Sequence, residues 1–180
     1  MDDGVTLLGG KEVRVIRKEW KSGSPQPYRK TYNLLPGQSW YKAEITPGKM
    51  EHYEQMDIGE QIPVGALIAA ELSDDGAHFS VFTEMWAGKF VMVDQYLKCI
   101  EPSREAEKII SKLRQENGAK LGGFPDAFGI FPDGHIAFRE VKNVSAKDRL
   151  GEKQHEFSRL IRKLFGEKAD IAVVEWGIPN

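Results

Sequence analysis

The last eighty residues carry a series of hydrophobic patterns that leaves few folds open to the chain. Apolar residues recur at helical spacing from Ala106 to Leu113, behind Ser103, which can cap a helix. Two short strand patterns follow, joined by a Pro-Asp-Gly turn at 132–134. An amphipathic helix at 152–165 and an apolar run of strand length at 169–176 complete the segment. The order helix, strand, strand, helix, strand predicts a compact α+β (mixed α/β) unit with a mixed sheet.

The first hundred residues are predicted to be rich in strands. Residues 11–20 alternate apolar and charged side chains, and residues 66–86 resemble a hairpin with Asp75-Gly76 at its tip. Residues 40–45 and 89–100 indicate further strands, while three prolines at 23–39 predict an irregular loop. We therefore predict a boundary near residue 100. It separates a β-rich domain at 1–100, serving recognition or oligomerisation, from an α+β domain at 101–180.

Composition excludes several classes of protein. The chain has 180 residues, one cysteine and a formal net charge of −2. A single cysteine forms no internal disulfide, and no apolar run approaches the roughly 20 residues of a membrane span. The first residues lack a basic start followed by an apolar run, so they are not a secretory signal. We expect an intracellular protein, cytoplasmic or nuclear, that does not coat nucleic acid non-specifically.

Two carboxylates and one lysine are predicted to meet at one end of the C-terminal hairpin. Asp126 begins the first strand, and Glu140 and Lys142 lie two residues apart on the second. Side chains two apart on a strand leave the same face. Carboxylates beside an ammonium group suit a hard, oxygen-seeking cation such as Mg²⁺. The backbone carbonyl of Val141, between the two, could add a further oxygen ligand.

This arrangement indicates hydrolysis of a phosphodiester. A cation held between Asp126 and Glu140 would bind a phosphodiester oxygen and lower the pKa of a coordinated water. Lys142 would orient or help to deprotonate that water and would offset charge in the transition state. The second Pro-Asp pair ends at Asp133, which lies too close to Glu140 and is followed by glycine, so we interpret it as a turn.

A known family shows the same motifs in the same order. The chain has Gly-Gly-x-Pro-Asp before the first strand, Glu-Val-Lys near the end of the second, and Asp148-Arg149-Leu150 with Gln154 at the next helix. Over about residues 101–176 it resembles the VRR-NUC family, the virus-type replication-repair nucleases of the PD-(D/E)xK superfamily. The resemblance implies a restriction-endonuclease-like α-β-β-α-β core and Mg²⁺-dependent cleavage of DNA, with Mn²⁺ as a substitute.

The resemblance also implies roles for single residues. Asp126 and Glu140 would be metal ligands, Lys142 would be catalytic, and Gln154 would face the site from its helix.

The family further places a glutamate on the helix before the hairpin, and both Glu105 and Glu107 flank the apolar stripe of that helix. Glu105 would lie in the first turn, where the helix dipole alone explains an acidic residue. Glu107 is therefore the expected additional ligand.

Basic residues cluster beside these motifs. Lys147, Arg149 and Lys153 are predicted to contact phosphates, which positions a nucleic-acid strand without reading its sequence. The alternative is a solvated polar face of the kind that most charge clusters form.

The predicted function is an endonuclease acting on branched or otherwise structured DNA in replication, repair or recombination. The alternative is a catalytically idle nuclease fold that binds DNA or assembles with proteins. The intact set Asp126, Glu140 and Lys142 favours the enzyme. The patterns leave open whether the substrate is a junction, flap, nicked duplex or single strand, and whether it is DNA or RNA. A homodimer is implied by resemblance only, and a protein partner for residues 1–100 follows from their slight acidity.

Overall fold

A computed structural model describes residues 4–20, 52–55, 60–86, 89–96, 98 and 100–177. The strands are β1 (Gly4–Leu8), β2 (Lys11–Arg17), β3 (His52–Gln55), β4 (Glu60–Pro63), β5 (Phe79–Trp86), β6 (Lys89–Val93), β7 (Ala127–Ile130), β8 (Ile136–Asn143) and β9 (Ala169–Trp176). The helices are α1 (Val64–Asp74), α2 (Arg104–Glu116) and α3 (Glu152–Phe165), and a short 3₁₀ turn, Gly166–Lys168, follows α3. None of these three helices has the length and apolar character to cross a membrane.

Seven strands form one mixed sheet in the order β1-β2-β9-β8-β7-β5-β6, and β3 and β4 form a separate two-stranded ladder. β7 and β8 pair antiparallel, as expected for strands joined by a tight turn. β8 and β9 pair parallel, with α3 as the crossover connection between them. The predicted mixed α+β class is confirmed.

Helices cover both faces of the sheet. One apolar cluster includes Phe128, Phe138 and Phe157 and joins the sheet to α2 and α3. The other includes Ile68, Ala137 and Trp176 and joins the opposite face to α1. Because β8 is covered on both sides, all eight of its residues are buried, including charged ones.

The C-terminal elements agree with the patterns that predicted them. α2 begins after Ser103, whose Oγ accepts a 3.1 Å hydrogen bond from the Ala106 amide. α3 and β9 span the predicted residues 152–165 and 169–176. The predicted strands at 11–20 and 89–100 are present as β2 and β6, whereas the loop predicted at 23–39 and the strand at 40–45 lie outside the described residues.

The hairpin predicted at 66–86 is wrong in its first half. That segment is the helix α1, in which Val64, Ile68 and Leu72 are buried at four-residue spacing. A short apolar run fits a buried strand and a buried helix equally well, and here packing on β5 and β7 decides for the helix. Asp75 and Gly76 terminate the helix, with Gly76 at a φ of 100°.

Strands from both halves of the chain share the large sheet. β2 pairs with β9, and β5 pairs with β7, so the boundary predicted near residue 100 falls between elements of one sheet. The C-terminal strands lie in its middle, flanked by strands from the first hundred residues. Those flanking strands supply backbone partners and part of the core on the α1 face of the sheet, including Phe82, Val91 and Val93.

Candidate active site

The register of the hairpin brings the two carboxylates together. Ala127 pairs with Arg139, so Asp126, one residue before β7, lies opposite Glu140 on β8. Glu140 and Lys142 alternate with Val141, which packs toward α1. Both side chains therefore point to the α3 side, as does Asp126. The structure thus brings Asp126, Glu140 and Lys142 to one place at the end of the hairpin.

Asp126 is held by both neighbouring strands. Its Oδ2 accepts a 2.7 Å hydrogen bond from the Val141 amide on β8. Its backbone carbonyl accepts a 2.7 Å bond from the Thr83 amide on β5. The Thr83 hydroxyl donates a 2.7 Å bond to the carbonyl of Pro125. These contacts fix the Pro-Asp segment. Thr83 has no signal in the sequence, because its contact depends on the β5–β7 pairing.

Glu140 lies at the centre of the site and is 3% exposed. Its Oε1 is 3.0 Å from Lys142 Nζ and also accepts a hydrogen bond from Gln154 Nε2. Lys142 Nζ is in turn 3.2 Å from Asp148 Oδ2. The ammonium group therefore lies between two carboxylates, one from β8 and one from the loop after it.

The two carboxyl groups of the site have raised pKa values. Burial raises the pKa of Asp126, against the lowering effects of the Val141 amide and Lys142. Burial and then the charge of Asp126 raise the pKa of Glu140 well above its usual range. Burial works to lower the pKa of Lys142, but Glu140 and then Asp148 outweigh it and the pKa is raised. The lysine is therefore held as a cation, while the carboxyl pair favours an added proton or positive charge.

A cavity of about 210 Å³ opens beside these groups. It is bordered by α1, β5 and the site itself, and its walls include Gly65, Thr83, Asp126, Lys142 and Asp148. A Cβ at Gly65 would come within 2.7 Å of the Phe82 side chain, so glycine lets α1 pack closely against β5 at this point. The cavity gives a small ligand access to Asp126 and Lys142.

Gln154 reaches the site because the loop before β7 packs tightly on α3. Gln154 is the third residue of α3, and its Oε1 accepts a 2.6 Å hydrogen bond from the Gly151 amide. This leaves its Nε2 to donate to Glu140. Gly123 has a φ of 89°, and a Cβ there would lie 2.5 Å from the Lys153 carbonyl oxygen. Gly123, the second glycine of the motif, therefore allows the loop before Asp126 to approach the start of α3 closely.

The structure places the expected helix glutamate elsewhere. Glu107 is exposed on α2, and neither it nor Glu105 is among the described residues that line the cavity. Glu105 Oε2 is instead 3.2 Å from His78 Nε2. The sequence already showed that both flank the apolar stripe, whose residues are buried under the sheet. Asp148 is the additional carboxylate that the structure brings to Lys142.

Two of the three predicted phosphate contacts border a groove next to the site. The groove, of about 520 Å³, shares Lys142 and Asp148 with the cavity and is lined further by Lys147 and Arg149. Lys153 is exposed on α3 and is not among the described lining residues. Arg139 on β8 is buried on the α1 face, where its guanidinium is 2.7 Å from Asp170 Oδ2.

The donor set suits a partly hydrated divalent cation. Among the described residues, no group of three or more His, Cys, Asp or Glu side chains is arranged to hold a metal. Mg²⁺, however, is often bound through one or two carboxylates, with water and substrate phosphate completing its shell. Asp126 and Glu140 supply two carboxylates whose pKa values are raised, chiefly by burial. These residues therefore fit such an ion.

Comparison with known proteins adds no assignment. No protein-family model matches this chain, and neither a curated protein nor a solved structure shows a significant match to it.

Proposed function

We propose that this chain is a Mg²⁺-dependent nuclease of the PD-(D/E)xK type, similar to the VRR-NUC family, that hydrolyses phosphodiester bonds in structured DNA. The observation that carries the proposal is the juxtaposition of Asp126, Glu140 and Lys142 on one face of one hairpin. The contacts of Asp126 with other strands also support the proposal, because backbone amides on β5 and β8 hold this residue in place.

The residues of the site divide the chemistry between them. Asp126 and Glu140 would hold the cation, with the Val141 carbonyl a further candidate ligand; once bound, the ion supplies charge neutralisation and water activation. Lys142 is held as a cation and would stabilise negative charge on the attacked phosphate. Gln154 would orient Glu140 through its amide hydrogen bond.

Two basic residues of the groove support a nucleic-acid substrate. Lys147 and Arg149 border the groove that adjoins Lys142, so a strand lying there would bring a phosphodiester to the site. We place the protein inside the cell, where such DNA occurs. A homodimer and a protein partner for the first hundred residues remain part of this proposal.

One observation favours the second candidate function, an idle nuclease fold that binds DNA. The expected third acidic ligand, Glu107, is exposed on α2. A site with only two carboxylates from the described residues would bind its cation more weakly than one with three.

The test is cleavage of labelled single-stranded, duplex, flap and four-way-junction DNA with Mg²⁺, Mn²⁺ or EDTA. We expect cleavage that needs the cation and falls to a low residual rate in Lys142→Ala and Asp126→Asn. Lys108→Ala on the exposed side of α2 and Asp133→Asn in the distal turn are matched controls that should cut normally. Junction binding without cleavage would contradict the nuclease and support the idle DNA-binding fold. Absence of both binding and cleavage would exclude both candidate functions.

A further inference from the structure

The partner of Lys142 outside the hairpin is Asp148. Lys142 Nζ lies 3.0 Å from Glu140 Oε1 and 3.2 Å from Asp148 Oδ2. The Lys142 side chain is 9% exposed and that of Asp148 is 37% exposed, so the pair stands at the inner end of an opening to solvent. We propose that Asp148 is a positioning residue that fixes the direction of the Lys142 ammonium group toward the reacting phosphate. This inference rests on the proposed function.

A lysine needs a second partner to have a defined direction. Its ammonium is a compact charge on a flexible four-carbon stem. Glu140 alone cannot define the direction, because it lies two residues away on the same strand and its Oε1 is shared with Gln154. Asp148 belongs to a different segment, the loop between β8 and α3. Contacts from two separate segments restrict the swing of the side chain where one contact would not.

The loop that carries Asp148 is held by other atoms. Asn143 Oδ1 accepts hydrogen bonds from Ser145 Oγ at 2.7 Å and from the Ala146 amide at 3.1 Å. The Asn143 carbonyl accepts a 3.1 Å bond from the Asp148 amide. Lys147 adopts a φ of 57°, a left-handed conformation, and its amide donates a 3.0 Å hydrogen bond to the Val144 carbonyl within a tight turn. Because backbone and Asn143 contacts set the loop, the Asp148 carboxylate is available for Lys142.

The position of Asp148 also connects the two openings of the site. Asp148 and Lys142 are the two described residues that border both the 210 Å³ cavity beside Asp126 and the 520 Å³ groove with the basic residues. A nucleic-acid strand that passes from the groove to the Asp126 and Glu140 carboxylates must therefore cross the Lys142–Asp148 ion pair. A lysine held at that crossing meets the phosphate in one orientation, which is the condition for efficient reaction.

The test is a double-mutant cycle read by kinetics. Asp148→Asn keeps the shape of the side chain and removes its charge. We expect it to lower kcat roughly 10- to 100-fold with KM within about twofold, as for a misplaced reacting group. Asp148→Glu should recover part of kcat. In a Lys142→Met background, Asp148→Asn should cause no further loss, since it acts through the lysine.

The matched control is the ion pair of Lys163 and Glu116, which has the same 3.2 Å separation but lies exposed between α3 and α2. Glu116→Gln should leave kcat unchanged. Wild-type kcat in Asp148→Asn, a loss confined to KM, or a full further loss in the Lys142→Met background would each overturn the positioning role while the nuclease stands. If the wild-type protein cuts no substrate, the proposed nuclease function is contradicted, and this inference with it.

Discussion

The Val141 amide lies 2.7 Å from Asp126 Oδ2, and this hydrogen bond connects the strand that carries Glu140 to the other carboxylate of the site. The contact keeps two acidic groups side by side although each raises the free energy of the other when ionised. A fold optimised only for stability would separate them. Lys142, whose Nζ is 3.0 Å from Glu140 Oε1, places one positive charge beside the pair.

The first prediction concerns the pH dependence of stability without metal. The folded protein raises the pKa of Asp126 and Glu140 above their ordinary values of 3.8 and 4.5. The stability they contribute is full below those values and is lost as the pH rises through the raised ones, by up to about 1.4 kcal/mol per pH unit and group. Denaturant unfolding in EDTA from pH 4 to pH 9 measures this loss.

Glu140→Gln isolates the effect from the other ionisable groups of the chain. The variant should show a flatter decline than the wild type, and Mg²⁺ or Mn²⁺ should restore wild-type stability at high pH only. The exposed Glu116→Gln should follow the wild-type curve. Parallel curves for wild type and Glu140→Gln would show that the carboxyl pair is not strained.

The second prediction concerns the glycine pair before Asp126. Gly123→Ala forces a Cβ to 2.5 Å from the Lys153 carbonyl oxygen at a φ of 89°. We expect a loss of about 2 kcal/mol or more in the free energy of unfolding, from backbone strain plus the displaced helix start. Gly122→Ala is the matched control, since a Cβ there meets nothing within 4 Å. Equal unfolding midpoints for the two variants would contradict the close approach.

The third prediction concerns Gln154. Gln154→Ala removes the acceptor for the Gly151 amide and the donor to Glu140. We expect it to cost about 1 kcal/mol of stability and to lower the rate of cleavage. Gln154→Glu should keep the helix contact but lower cleavage, because a carboxylate cannot donate to Glu140. Gln115→Ala on exposed α2 serves as the control for both stability and cleavage. Normal cleavage by Gln154→Glu would show that the hydrogen bond from Gln154 to Glu140 is not needed for cleavage.

The fourth prediction concerns the basic groove. A double variant, Lys147→Ala with Arg149→Ala, should weaken binding of duplex DNA similarly for all sequences. The slope of log affinity against log salt should fall by about 1.8, corresponding to two lost phosphate contacts. Fluorescence anisotropy at several salt concentrations measures the slope. Lys153→Ala, outside the described lining of the groove, should alter the slope less. An unchanged slope in the double variant would show that DNA binds to another surface.

The sequence predicts the centre of this fold better than its flanks. α2, β7, β8, α3 and β9 follow from periodicity, a serine cap and tight turns, all of which are local signals. The short apolar run in α1 fits a strand as well as a helix, because it has no distinctive period when the helix is largely buried. The pairing of β5 with β7 and of β2 with β9 depends on contacts between distant residues, which no local pattern records.

The residues of the site also differ in how well local sequence patterns predict their positions. Asp126, Glu140 and Lys142 could be placed together from strand alternation and one turn. Asp148 was visible as part of a motif, but its contact with Lys142 depends on a loop shaped by Asn143. Glu107 could not be placed, because a helix pattern shows which face is apolar and not which strand end the polar residues approach.

The central position of β7, β8 and β9 in the sheet limits which segments of the chain can be deleted. A fragment starting at residue 101 would keep all three motif residues and lose both outer neighbours, β5 beside β7 and β2 beside β9. Each loss leaves a row of unpaired amides and carbonyls, the kind of edge that joins one chain to another. Such a fragment would aggregate before its chemistry could be measured. The folded site therefore depends on the strands that flank it.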